Sequence, residues 1–243
     1  MTKCTPDGTR LMMLLPNGAV LTDPAAMDAA AGATREPTAR QQGGIFNRPT
    51  DCCVHPETGD VFVSDGYGNS RVVVYSYDGQ YLREWGRFGT RPGEFIVPHS
   101  ITIDAARDRV YVADRENGRV QIFDTSGKFV SQLLSGAIHD YRVRHYSEFT
   151  YFYHHLSSVE YHPGLDVLAV LEGNTLTIRD PDGCIIQQHA ASDYWEDWPH
   201  DMEVASDGAG GAVLYIAELK GNRMTRIAVP AEEIGRRRAR RRD

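Results

Sequence analysis

Short apolar runs rich in Val, Ile, Tyr and Phe recur along the chain, each closed by Gly, Asp, Asn or Ser. Runs of that length and composition, bounded by turn residues, predict β-strands rather than helices. Their order repeats. Pro49 leads into an apolar strand, a Gly59 turn and a second strand ending in Asp65; an Asn-x-Arg turn and a third strand, Arg71 to Ser76, follow. A turn at Gly79 opens the fourth, Gln80 to Trp85. The same succession returns at a 49-residue offset with Pro98, a second strand ending in Asp114, a third from Arg119 to Phe123 and a fourth from Lys128 to Leu133.

Four short antiparallel strands per unit of ~40 to 50 residues predict one propeller blade. A third, more diverged unit begins at Leu156 and carries Glu172 where the first two carry Asp. A fourth begins at Pro199 and reaches Glu218 and Arg223. Upstream, residues 8–18 match only the last strand or two of a blade. The expectation is an all-β propeller of about four blades plus a partial one. Residues 1–22 form the remnant of a preceding blade, 23–42 an irregular loop, 43–230 the blades and 231–243 a basic tail. Because a ring needs closure, the start is expected to be cut.

Composition adds limits. The chain has 243 residues, 41% hydrophobic and 24% charged, with 23 Gly and 12 Pro, which suits a turn-rich globular protein. No stretch approaches the roughly 20 apolar residues that span a bilayer. The net charge is −7, and the six arginines of 236–242 leave the remainder more acidic still. An acidic body argues against broad nucleic-acid affinity. The Arg-rich end reads either as a solvated tail or as a polyanion-binding patch. Cys4, Cys52, Cys53 and Cys184 have no metal-ligand spacing, and the N-terminus has no clear signal-peptide pattern.

The innermost strand of every blade lines a shared channel, so the residues just after the repeated first position converge: Thr50, His99, Ser157 and His200. Two imidazoles at matched positions suit zinc. They equally suit strand caps bonded to neighbouring backbone. Asp201 could bind a hard cation or orient the site, or simply form a turn. Tyr67 and Arg115 each follow a second strand; they could act as proton acceptor and carboxylate clamp, or as a ring stacked on its turn and a blade-to-blade ion pair. His154 and His155 sit in a Tyr-rich connecting segment, where surface or packing roles outweigh ligation; a third ligand, if one is needed, would come from them or from water. No phosphate loop or nucleophile elbow stands out.

Taken together, Arg48-Pro49-Thr50-Asp51, Val63 to Arg71, Pro92 to Phe95, Val97-Pro98-His99-Ser100, Val112 to Gln121 and Trp198-Pro199-His200-Asp201 resemble the peptidyl-α-hydroxyglycine α-amidating lyases, which are NHL-type propellers. The resemblance is close over 43–134, adequate over 197–228 and loose between. It implies a six-bladed ring with zinc on three histidines from alternate blades, of which His99 and His200 match two. It further implies Tyr67 and Arg115 as active-site residues and Asp201 as a calcium ligand. The family's third histidine and second arginine belong to N-terminal blades, which the sequence as given is expected to lack. Residues such as Asn47, Gly68, Tyr111 and Ile122 replace the cysteines that staple the animal enzymes, and Trp198 stands where methionine is usual.

The implied reaction splits a peptide extended at its C-terminus by α-hydroxyglycine into peptide amide and glyoxylate, in functional coupling to a peptidylglycine monooxygenase. With two histidine ligands, weak zinc binding and slow turnover are expected. The other reading is a non-catalytic propeller that serves as a binding scaffold. Resemblance points to the secretory route, whereas the visible N-terminus carries no such mark.

Overall fold

The computed structural model describes residues 2–4, 10–14, 20–21, 46–134, 156–172, 175–190, 199–218 and 223–239. The chain divides into two compact units, Met1–His99 and Ser100–Asp243. Strands β1 (Thr2–Cys4), β2 (Arg10–Leu14) and β3 (Val20–Leu21) form a three-stranded antiparallel sheet, one strand more than the partial blade expected there. The stretches 23–42 and 138–155 lie outside the described residues.

The first full sheet is β4 (Asp51–Val54), β5 (Val61–Asp65), β6 (Arg71–Tyr75) and β7 (Tyr81–Trp85), in that spatial order. The second is β8 (Pro98–Asp104), β9 (Arg109–Asp114), β10 (Arg119–Phe123) and β11 (Phe129–Leu134), and the third β12 (Leu156–His162), β13 (Val167–Glu172), β14 (Thr175–Arg179) and β15 (Ile185–Ala190). Each repeat read from the sequence is therefore one antiparallel meander. The third and fourth strands bulge at the same place in all three, between Val74 and Tyr75, Ile122 and Phe123, and Ile178 and Arg179. A bulge deepens twist, as a propeller blade requires.

The fourth repeat departs from expectation. Among the described residues its sheet has three strands, β16 (Pro199–Ser206), β17 (Ala212–Glu218) and β18 (Arg223–Val229), and helix α1 (Ala231–Ala239) follows. Helix α1 begins inside the segment read as a basic tail. Pro230 can precede a helix but not continue a central strand, and Glu232 and Glu233 complement the positive end of the helix dipole. Ile234 is buried among Ile186, Val204 and Val229, which secures the first turn.

Cores form where strand faces meet. In the first unit Phe46, Val63, Val73 and Tyr75 cluster, with the Phe46 and Tyr75 rings 5.5 Å apart. In the second unit Tyr111, Val120 and Ile122 pack on Leu156, Val159 and Leu168, and Leu171 and Ile178 pack on Leu214 and Ile227. Hydroxyls knit the inner strands of that unit: the Ser100 hydroxyl donates to Val159 O at 3.2 Å, and the Tyr161 N–H donates to Thr102 Oγ1 at 3.2 Å.

Every one of the four repeats buries the carboxylate that ends its second strand and pairs it with an arginine at or near the third. Arg71 Nε lies 3.1 Å from Asp65, Arg119 Nε 2.8 Å from Asp114, Arg179 Nη2 2.6 Å from Glu172 and Arg223 Nη2 3.0 Å from Glu218. A buried ion survives only with partners that replace its water. The pairing explains why the sequence holds an acid at this position throughout.

Candidate functional site

In the first unit the site grows from the turn after β5. The Asp65 carboxylate accepts from Asn47 N–H at 2.9 Å, Asn69 Nδ2 at 2.6 Å and Arg71 Nε at 3.1 Å, which fixes both ends of the turn 66–70. Gly66 packs so closely on the next inner strand that a Cβ there would meet Pro98 O at 1.9 Å. Tyr67 comes next, 44% exposed, with its hydroxyl 3.0 Å from Nε2 of His99 and the two rings edge to face. His99 is itself buried at the start of β8. The phenol and the imidazole nitrogen thus share one proton position, and the partly open tyrosine forms the solvent side of the pair.

The backbone leading to His99 is strained. Val97 has φ 59 and precedes a proline, although β-branching and a following Pro both favour extended geometry. Left-handed outliers of this kind concentrate at functional sites.

In the second unit Arg115 opens the turn after β9, directly behind buried Asp114, with its Nε 3.0 Å from Glu116 Oε1. His200 is half-buried on β16. The register of β16 against β17 shifts between Pro199 and Asp201, so His200 is the extra residue of a bulge. Ser157 occupies the same position on β12, where the register shifts between Leu156 and Ser158. Bulges beside active sites re-aim a side chain that regular pleating would misdirect.

Burial pushes the His200 imidazole below its ordinary range, and the positive charge of Arg115 adds to that push while the Asp201 carboxylate opposes it. A neutral imidazole offers a lone pair at neutral pH. Asp201 Oδ1 accepts from the Ser158 hydroxyl and from Met202 N–H, each at 2.9 Å.

Tyr67 and His99 are thus brought together in the first unit, and Arg115, His200 and Asp201 act on one another in the second. His154 and His155 lie outside the described residues. Among the described residues no group of three or more His, Cys, Asp or Glu could hold a metal ion. Imidazole is a usual zinc donor, and two are present: His99, buried with its Nε2 against the Tyr67 hydroxyl, and His200, whose protonated form burial disfavours. The parts the sequence did not single out are Gly66, Ser158 and the bulges. A glycine between Asp65 and Tyr67 was the visible signal for the first; the other two carried none.

A family model described as a 6-bladed beta-propeller matches residues 52–160. The chain is 35% identical over 182 residues to the peptidylglycine alpha-amidating monooxygenase of Rattus norvegicus, covering 73% of this chain and 18% of that protein. It is 29% identical over 209 residues to the peptidyl-alpha-hydroxyglycine alpha-amidating lyase 1 of Drosophila melanogaster, covering 75% of this chain and 35% of that one. The chain therefore spans about a fifth to a third of the length of these relatives. A catalytically inactive H270A virginiamycin B lyase from Staphylococcus aureus shares the fold at TM-score 0.52 and 16% identity, over 95% of this chain and 69% of that one.

Repeated antiparallel meanders and these matches define a β-propeller protein. Within that class the chain is a homologue of the peptidyl-α-hydroxyglycine α-amidating lyases.

Proposed function

We propose that the chain acts as a lyase on peptides ending in α-hydroxyglycine, releasing the peptide amide and glyoxylate. The observation that carries this reading is the 3.0 Å contact between Tyr67 Oη and His99 Nε2, a proton acceptor placed against an imidazole ligand in a homologue of amidating lyases. The substrate is a carbinolamide. Its hydroxyl loses a proton, the carbon–oxygen bond becomes the carbonyl of glyoxylate, the carbon–nitrogen bond breaks, and the amide nitrogen takes up a proton.

In this reading Tyr67 receives the hydroxyl proton, since its ring lies partly open to solvent while its oxygen is held from behind. Arg115 binds the terminal carboxylate, for which a guanidinium offers paired donors. His99 and His200 would hold zinc, which when bound polarises substrate oxygens. Asp201, fixed by Ser158 and Met202, is the proposed calcium ligand. The α-hydroxyl must come from oxidation at the Cα of a C-terminal glycine, so a peptidylglycine monooxygenase is the functional partner. No helix among the described residues is long and apolar enough to cross a membrane.

The test is glyoxylate release from α-hydroxyhippurate with added zinc. Tyr67→Phe, His99→Ala and His200→Ala should each lower the rate by at least about a hundredfold, the lower end of what a positioned acid or base contributes. Full activity in all three variants would exclude the reading. Peptide binding without glyoxylate release by the unmodified protein would favour the scaffold.

A further inference from the structure

Thr50, His99, Ser157 and His200 hold one repeat position in four successive units, and hydroxyl and imidazole alternate along that series. Each hydroxyl reaches the corresponding carbonyl of the next repeat, the first closely and the second at the outer limit of a hydrogen bond. Thr50 Oγ1 lies 2.7 Å from the carbonyl oxygen of Pro98, the residue before His99. Ser157 Oγ lies 3.5 Å from the carbonyl oxygen of Pro199, the residue before His200. We propose that the hydroxyl residue of one repeat positions the histidine of the next, Thr50 setting His99 and Ser157 setting His200. The proposal rests on the reading of these histidines as zinc ligands and deepens it.

The Pro98 carbonyl and the His99 N–H belong to one planar peptide group, so holding the oxygen orients the bond that leads to the His99 Cα. Thr50 is itself anchored. Its N–H donates to Ser64 O at 2.8 Å, and its Oγ1 lies 2.8 Å from Ser64 Oγ and 3.0 Å from Ser64 O. A threonine hydroxyl has one proton to give, and Pro98 O is the nearest acceptor. Gly66 completes the clamp on the same oxygen, since only a residue without Cβ fits against it.

The need for a clamp lies in Val97. A β-branched residue at φ 59 ahead of proline relaxes toward extended backbone when released, and that rotation would carry the Pro98–His99 peptide with it. His99 Nε2 would then leave the Tyr67 hydroxyl. On the second histidine the hold is looser: Ser157 divides its proton between Pro199 O at 3.5 Å and Leu171 O at 3.4 Å. Ser158 compensates on the far side by fixing the Asp201 carboxylate at 2.9 Å. The stronger dependence is therefore that of His99 on Thr50.

The experiment uses the full chain and compares Thr50→Val, which keeps the shape and loses the proton, with Thr50→Ser, which restores it. Three quantities are read: the unfolding midpoint, the His99 Cε1–H resonance of the metal-free protein (assigned by its loss in His99→Ala), and zinc affinity by competition with a chromophoric chelator. Thr50→Val should move the His99 resonance and weaken zinc binding about tenfold, the scale expected when a ligand's orienting partner is lost. Thr50→Ser should return both, and Ser157→Ala should weaken zinc less. An unmoved His99 resonance with unchanged affinity in Thr50→Val, or failure of Thr50→Ser to restore them, would overturn the proposal. Should Thr50→Val not fold, Ser157→Ala at its weaker contact carries the same comparison for His200. If His99→Ala leaves zinc affinity intact, the metal reading fails instead, and the resonance still decides whether Thr50 positions His99.

Discussion

The surroundings of His200 act on its charge in opposing directions. Burial comes first and lowers the affinity for the proton, the Asp201 carboxylate comes second and opposes it, and Arg115 adds a smaller push in the direction of burial. The folded protein therefore binds the imidazole proton less tightly than the unfolded chain does. Stability linked to this group is present above the ordinary value of 6.5 and falls away as acid protonates the unfolded form preferentially. An NMR titration should place the His200 midpoint below 6.5. Arg115→Gln should raise it and Asp201→Asn should lower it further, in opposite directions because the two charges oppose each other. A midpoint at or above 6.5 would mean that burial does not dominate.

At the scale of the element, the blade is held at the junction of its second and third strands. Asp114 is wholly buried and accepts from Asn117 Nδ2 at 2.7 Å, Arg119 Nε at 2.8 Å and Gln121 Nε2 at 3.0 Å. Asp114→Asn takes the negative charge away from the buried Arg119 guanidinium and should cost about 3 to 5 kcal/mol in denaturant unfolding. The outer pair of Arg87 and Glu94 supplies the contrast. Arg87 is 75% exposed, so Arg87→Ala should cost less than about 1 kcal/mol. Similar losses in the two variants would mean that the acid is a turn-former rather than a buried anchor.

The strands of the first three repeats were legible because both their period and their closing residues recur; Pro49 and Pro98 start them and Asp65, Asp114 and Glu172 stop them. The end of the fourth repeat was not. Ile234 is one apolar residue among acids and arginines, too few to mark a helical face, and only its burial against Val204 and Val229 reveals why the segment folds. The site divides in the same way. His99 and Tyr67 could be found from repeat position and resemblance, whereas the bond from Thr50 to a main-chain oxygen 48 residues on leaves no trace in residue types.

At the scale of the molecule, packing and main-chain bonds join neighbouring strands and turns. Tyr111 and Ile122 face each other across β9 and β10, and Gly68 N–H donates to Asn47 O at 2.9 Å while its Cα lies against the Asn47 side chain. Among the described residues Cys52, Cys53 and Cys184 form no disulfide. The unfolding midpoint should therefore be the same with and without excess dithiothreitol. A fall under reduction would reveal a cross-link on which folding depends.

The buried acid at the head of each turn has a consequence for how such a protein can change over time. Stability is invested in Asp65 with Arg71 and in Asp114 with Arg119, while the residues between them, Tyr67 in one case and Arg115 in the other, lie outside those ion pairs. Inheritance can therefore rewrite the intervening residues one blade at a time, gaining or discarding a reactive group, without renegotiating the anchor on either side. Duplicated blades become a set of interchangeable mounts, and new activities can arise on a scaffold whose folding code stays the same.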